Sequence, residues 1–98
     1  MHMINKRSLK SGVKVTFYTE PYPEHDAVYI VGDFNNWNEN ASPMVQLKDG
    51  RFKLSILLEK GMVYQFRYLV DGWKYENESQ ADQYFPNPFS GDNSAIVT

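Results

Sequence analysis

Ninety-eight residues with 10 Lys and Arg against 12 Asp and Glu make one domain of net charge −2, with 42% apolar and 15% aromatic residues. That balance argues against nucleic acid, since phosphate neutralisation needs a basic face, and no segment approaches the ~20 apolar residues of a membrane span. Zero cysteines exclude a disulfide framework and a thiolate metal site, and they fit a reducing, cytoplasmic setting.

The opening MHMINKRSLKSG has basic residues but no apolar h-region, so no secretory signal is expected there. Within the single domain spanning 1–98, residues 1–10 read as a loosely ordered or edge segment. VKVTFYT then sets Val13, Val15 and Phe17 against Lys14, Thr16 and Tyr18, the period-two pattern of a strand with one buried face. PYPEHD is a Pro-rich loop. AVYIV, nearly all apolar, reads as a strand covered on both sides, and it breaks at Gly32-Asp33. In GDFNNWN, Phe34 is placed to plug the loop into the core while Asn35-Asn36 turn the chain. Trp37 either packs beneath that loop or is held out for a ligand.

In MVQLKDGRF, Asp49-Gly50 between two strand-like runs predicts a hairpin with a primed turn, which needs positive φ. FKLSILL puts Phe52, Leu54, Ile56 and Leu58 on one face, and Glu59–Gly61 is the next turn. MVYQFRYLVDGWKY points Tyr64, Phe66, Tyr68 and Val70 inward and Gln65, Arg67 and Leu69 outward, then turns at Asp71-Gly72. Glu76 to Asn93 is the one long irregular piece, with Tyr84, Phe85 and Phe89 to pin it down, and NSAIVT closes the chain as a strand. Six or seven short strands, about eight to twelve residues apart, predict an all-β, two-sheet antiparallel sandwich.

No catalytic constellation assembles from these residues. His2 lies at the start and His25 in the Pro-bounded loop, neither near a nucleophile. Asp71, Glu76, Glu78, Asp82 and Asp92 read as solvated surface charges. No calcium-loop spacing, His/Cys cluster or Gly-rich phosphate cradle is present, so no metal or cofactor is expected. What remains is aromatic surface: Trp37, Trp73 and Tyr75 stand at turns beside Asn35, Asn36, Lys74 and Asn77. A pyranose ring offers an apolar C–H face to a flat aromatic and a rim of hydroxyls to amides or a cation.

VYIVGDFNNWN, YQFRYLVDGWKY and the closing NPFSGDNSAIV together resemble the glycogen-binding, isoamylase N-terminal (early set) family of carbohydrate-binding modules. The likeness rests on G-x-F-N-x-W at Gly32 to Trp37 and F-x-x-x-V-D-G at Phe66 to Gly72, and it runs from about Lys6 to Thr98. It implies an immunoglobulin-like β-sandwich of the early set type that binds α-1,4-glucan. By the same resemblance, Trp37 matches a sugar-stacking tryptophan and Arg67 takes the place of a basic residue, usually lysine, that bonds sugar hydroxyls. Asn93 matches an amide near the last strand, and Phe89 an apolar residue on the preceding loop. The second stacking ring falls by strand register to Tyr75, while Trp73 lies at the tip of a turn one residue longer than in the kinase subunit of the family. Enzymes of the family keep their catalytic carboxylates in a (β/α)₈ domain that alone needs about 250 residues, so this chain is expected not to be an enzyme. The expectation is a non-catalytic module for glycogen, starch or maltooligosaccharide. Its rival is a protein-interaction module that docks a partner with the same aromatic face or a sheet edge.

Overall fold

The computed structural model describes residues 4–22, 27–87 and 91–98. Two antiparallel sheets face each other. The first has the order β1-β2-β5-β4, built from β1 (Ile4–Leu9), β2 (Gly12–Tyr18), β4 (Val45–Gln46) and β5 (Phe52–Leu58). The second has the order β3-β6-β9-β8, from β3 (Val28–Gly32), β6 (Val63–Val70), β8 (Gln83–Pro86) and β9 (Asp92–Val97). The short β7 (Lys74–Glu76) also pairs with β6. The only helical turn among the described residues is a 3-10 turn, Asp33–Asn35. The all-β sandwich expected from the sequence is the fold observed, with an architecture consistent with the immunoglobulin-like early set. No helix among the described residues is long and apolar enough to cross a membrane.

Alternation builds the core. Val13, Val15 and Phe17 of β2 and Phe52 and Leu58 of β5 are buried against Val28, Ile30, Phe66, Tyr68, Val70 and Ile96 of the facing sheet. Phe66 contacts Phe17 edge-on at 5.0 Å between ring centroids and Tyr68 at 5.8 Å. Each such side chain contributes about 1.5–3 kcal/mol by leaving water. β1 closes one edge, where Lys6 bonds the Asp82 carboxylate and the Val97 carbonyl of the facing sheet. An inward-reaching charge of this kind blunts an edge against further strand pairing.

Three local readings change. The Asp49-Gly50 hairpin forms, but not with a two-residue primed turn. Gly50 N–H donates to the Leu47 carbonyl at 3.0 Å and Leu47 N–H to that of Arg51 at 2.7 Å, so Lys48, Asp49 and Gly50 form a three-residue loop. Gly50 alone has positive φ, 91°, as in a turn closed by a glycine bulge. The primed signature falls at Asp71-Gly72 instead, with φ of 53° and 81° and a Trp73 N–H to Val70 carbonyl bond. Secondly, Glu76 to Asn93 is not irregular throughout, for it contains β8 paired to β9.

Thirdly, Glu78 is not a solvated charge. It is 1% exposed, lying against Tyr68 and the end of the core. Tyr68 donates its hydroxyl to Glu78 Oε1 at 2.5 Å, Gln80 its N–H to Oε2 at 3.0 Å, and Glu78 N–H itself donates to Ser94 Oγ at 2.8 Å. Burial pushes the Glu78 carboxyl above its usual range, against the lowering effect of those two donors. Burial, with Glu78 beside it, holds the Tyr68 phenol far above its own ordinary value.

Candidate functional site

The loop after β3 is held by its own polar side chains. Gly32 sits so close to β6 that a Cβ there would meet the Gln65 carbonyl oxygen at 2.5 Å and Phe66 Cβ at 2.8 Å, so only glycine lets the chain approach. Phe34 packs on the core, 6.0 Å from Phe17 and 6.2 Å from Tyr64 between centroids, which is the plug expected. Asn35 accepts from Gly32 N–H at 3.0 Å and donates to the Ile30 carbonyl at 2.9 Å and to Ser42 Oγ at 3.0 Å. Its amide is thus consumed by the loop rather than offered to a ligand. Asn36 and Trp37 both follow in the left-handed region, at φ 56° and 57°. Asp33 fixes the indole, accepting Trp37 Nε1–H at 3.1 Å through one oxygen and Gln65 N–H at 2.8 Å through the other.

Trp37 is half-buried and borders an open hollow of about 430 Å³, within the ~300–1,000 Å³ range of small-ligand sites. Its wall comprises Val31, Asn38, Glu39, Asn40, Arg67, Tyr75 and Asn87 besides Trp37. Strand register explains the gathering. Val31 pairs with Arg67 and Leu69 with Tyr75, all on the outward face of the second sheet. Leu69, expected to face out, does so, yet it is only 2% exposed. The Arg67 guanidinium lies 5.5 Å from the centre of the Tyr75 ring, and the Tyr75 hydroxyl donates to Glu39 Oε2 at 2.7 Å. That bond, more than burial, raises the Tyr75 phenol above its usual value.

The residues singled out in the sequence divide accordingly. Trp37, Arg67 and Tyr75 converge on the hollow. Asn93 lies one step behind its wall, where its Oδ1 accepts from Asn87 Nδ2 at 3.0 Å and its Nδ2 donates to Gln65 Oε1 at 3.1 Å. Trp73 stands apart at the tip of the β6–β7 turn, 75% exposed and not lining the hollow. Phe89, His2 and His25 lie outside the described residues. Lys74 is drawn to Glu76 at 3.0 Å, and Asn77 to the Asp92 carbonyl and Ser94. Sequence reasoning missed Glu39, Asn38, Asn40 and Asn87. The run of amides after Trp37 was the available signal for two of them, whereas Glu39 and Asn87 enter only through the way the loops fold back.

Chemically the hollow presents two aromatic rings, a guanidinium, amide donors and acceptors, and the Glu39 carboxylate. No group of three or more metal-ligating side chains occurs among the described residues.

Residues 22–87 match the family described as the glycogen recognition site of AMP-activated protein kinase. The chain is also similar to 1,4-alpha-glucan branching enzymes. It is 33% identical over 67 residues to that of Aquifex aeolicus, covering 67% of this chain, and 34% identical over 79 residues to that of Photobacterium profundum, covering 69%. The aligned stretch makes up 11% of each enzyme. With the matched segment carrying both the Trp37 loop and the β6–β7 hairpin, the chain belongs to the glycogen-recognition family of AMP-activated protein kinase.

Proposed function

We propose that this protein is a non-catalytic module that binds α-1,4-glucan, as glycogen, starch or maltooligosaccharide, in the hollow bounded by Trp37, Arg67 and Tyr75. The observation that carries the reading is the convergence of two aromatic rings, a guanidinium and several amides on one open face. Trp37, with its indole N–H tied to Asp33, has its ring face for the C–H side of a glucose unit. Arg67 and the amides of Asn38, Asn40 and Asn87 serve the hydroxyl rim. Arginine is a wider, more rigid fork than lysine, and it carries Tyr75 against it as one surface. Asn93 acts from behind, by orienting Asn87.

Glu39 is the one carboxylate on the described wall, and glycoside hydrolysis calls for a flanking pair. Family membership supports the same non-catalytic reading. A cysteine-free sequence fits a reducing compartment, and cytoplasmic residence is part of the proposal.

Aromatic stacks on nucleobases, a comparable geometry, are worth ~1–3 kcal/mol each. Two stacks and a few hydroxyl bonds, less the cost of association, place binding at roughly micromolar to millimolar Kd. Calorimetric titration with maltoheptaose tests this. Trp37→Ala should lose most of the binding while the melting temperature moves little. A variant that binds as the parent does, or that unfolds, would remove the main support. The parent incubated with glycogen should release no reducing ends beyond a protein-free control.

A further inference from the structure

The opposite side of the sandwich carries a separate charged surface. The strands of the first sheet hold Lys6, Arg7, Lys14 and Lys53 and no carboxylate at all. Lys6 reaches across to Asp82, whereas Arg7, Lys14 and Lys53 take outward positions by register and are exposed. Arg7 sits directly opposite Lys14, and Lys14 opposite Leu57. Two residues along, Thr16 and Ser55 are bonded hydroxyl to hydroxyl at 2.8 Å, and beyond them Tyr18, Lys53 and Val45 form a second row. Leu57 is 56% exposed and Val45 66%.

Like charges directly opposite on an antiparallel pair destabilise it. Arg7 and Lys14 stand so, with no ion pair to either among the described residues. The arrangement is therefore mildly unfavourable in the isolated molecule, and an outside anion lying over the pair relieves it. We infer that this face docks an acidic surface of a second protein, leaving the hollow on the other sheet open. The two exposed aliphatic side chains beside the cations decide between partners. They are of no use against the phosphates of a nucleic acid, but they match a protein surface in which apolar and acidic groups mix. Three outward cations on a chain of net charge −2 are also few for tracking a nucleic acid.

The inference does not depend on glucan binding, and maltoheptaose titrated into the same samples reads the two separately. The probe is a random copolymer of glutamate and leucine, added to isotope-labelled protein at low salt. Amide signals of Arg7, Lys14 and Leu57 should shift, and those of Val31, Arg67 and Tyr75 should not. Charge reversal at two exposed sites, Arg7→Glu with Lys14→Glu, should weaken copolymer binding at least about tenfold and leave maltoheptaose affinity unchanged. Leu57→Ser should weaken the copolymer but not poly-glutamate, which separates the apolar part from simple charge. No shift, shifts confined to β3 and β6, or a charge-reversed variant that binds equally well would each overturn the inference. Tighter binding of duplex DNA or of phosphatidylglycerol vesicles than of the copolymer would also overturn it, in favour of a phosphate partner.

Discussion

Asn35 and Asp33 make a matched pair for experiment because both act on Trp37, one from beneath the loop and one from its surface. Asn35→Ala removes three hydrogen bonds from a part-buried site, including the one that caps Gly32 N–H. Leaving such partners unsatisfied costs about 1–3 kcal/mol, so urea unfolding should shift clearly downward. Asp33 is exposed, and its two bonds hold the indole and the Gln65 amide. Asp33→Ala should therefore lower glucan affinity with a smaller loss of stability, and the indole N–H signal of Trp37 should move as that hydrogen bond goes. Equal effects of the two variants on stability would mean that Asp33 holds up the loop rather than orienting the ring.

Among the elements, the two Asp-Gly turns show how little a dipeptide specifies. Asp71-Gly72 takes the primed form, while Asp49-Gly50 sits in a three-residue loop in which Asp49 instead accepts Arg51 N–H at 3.1 Å. Gly50 is nonetheless the residue that must sit at positive φ. Gly50→Val should cost about 1–3 kcal/mol, for a β-branched residue resists that conformation. For a domain of this size that means a melting temperature lower by several degrees, at ~4–8 °C per kcal/mol. Strands β2, β3, β5, β6 and β9 were legible because each buries alternate or continuous apolar residues. β1 was legible only as a loosely ordered or edge segment: INKRSL is polar at its four central positions, so it carries no apolar alternation. β8 was not legible, being four residues that end in Pro86, at an edge of the sheet where a missing donor is tolerated. The site followed the same rule. Trp37, Arg67 and Tyr75 lie on or beside readable strands and in recognisable motifs, while Glu39 and Asn87 sit on loops whose path back to the sheet no local pattern encodes.

For the molecule as a whole, Glu78 gives stability an unusual dependence on pH. Its carboxyl is raised in the folded state, so the neutral acid contributes stability that is full below its ordinary value of 4.5 and is lost as pH rises through the folded value. Asp82 behaves oppositely. Burial alone would raise it, but the Lys6 ammonium and the Val97 N–H together hold it below its ordinary 3.8, so its contribution is present above that value and lost further down. Stability should thus rise on acidification from neutrality and fall again only at strongly acid pH. Urea midpoints across that range should show the maximum, and Glu78→Gln should flatten the rise by removing the titrating group. A steady fall from neutral pH downward would contradict the assignment. Salt separates the two faces at this scale. Uncharged glucan should bind almost independently of ionic strength, while attraction to the Arg7–Lys14 face should weaken as salt screens it.

The isolated position of Trp73 has an optical consequence. With 75% of its surface in water, against a half-buried Trp37 whose N–H is occupied, the chain's two indoles form one exposed and one sheltered emitter. Acrylamide should quench Trp73 freely in the presence or absence of maltoheptaose, whereas the sugar should shield Trp37. Trp73→Phe then leaves a protein whose entire indole emission reports on the hollow, and full protection of that emission by maltoheptaose identifies Trp37 as the ring against the sugar.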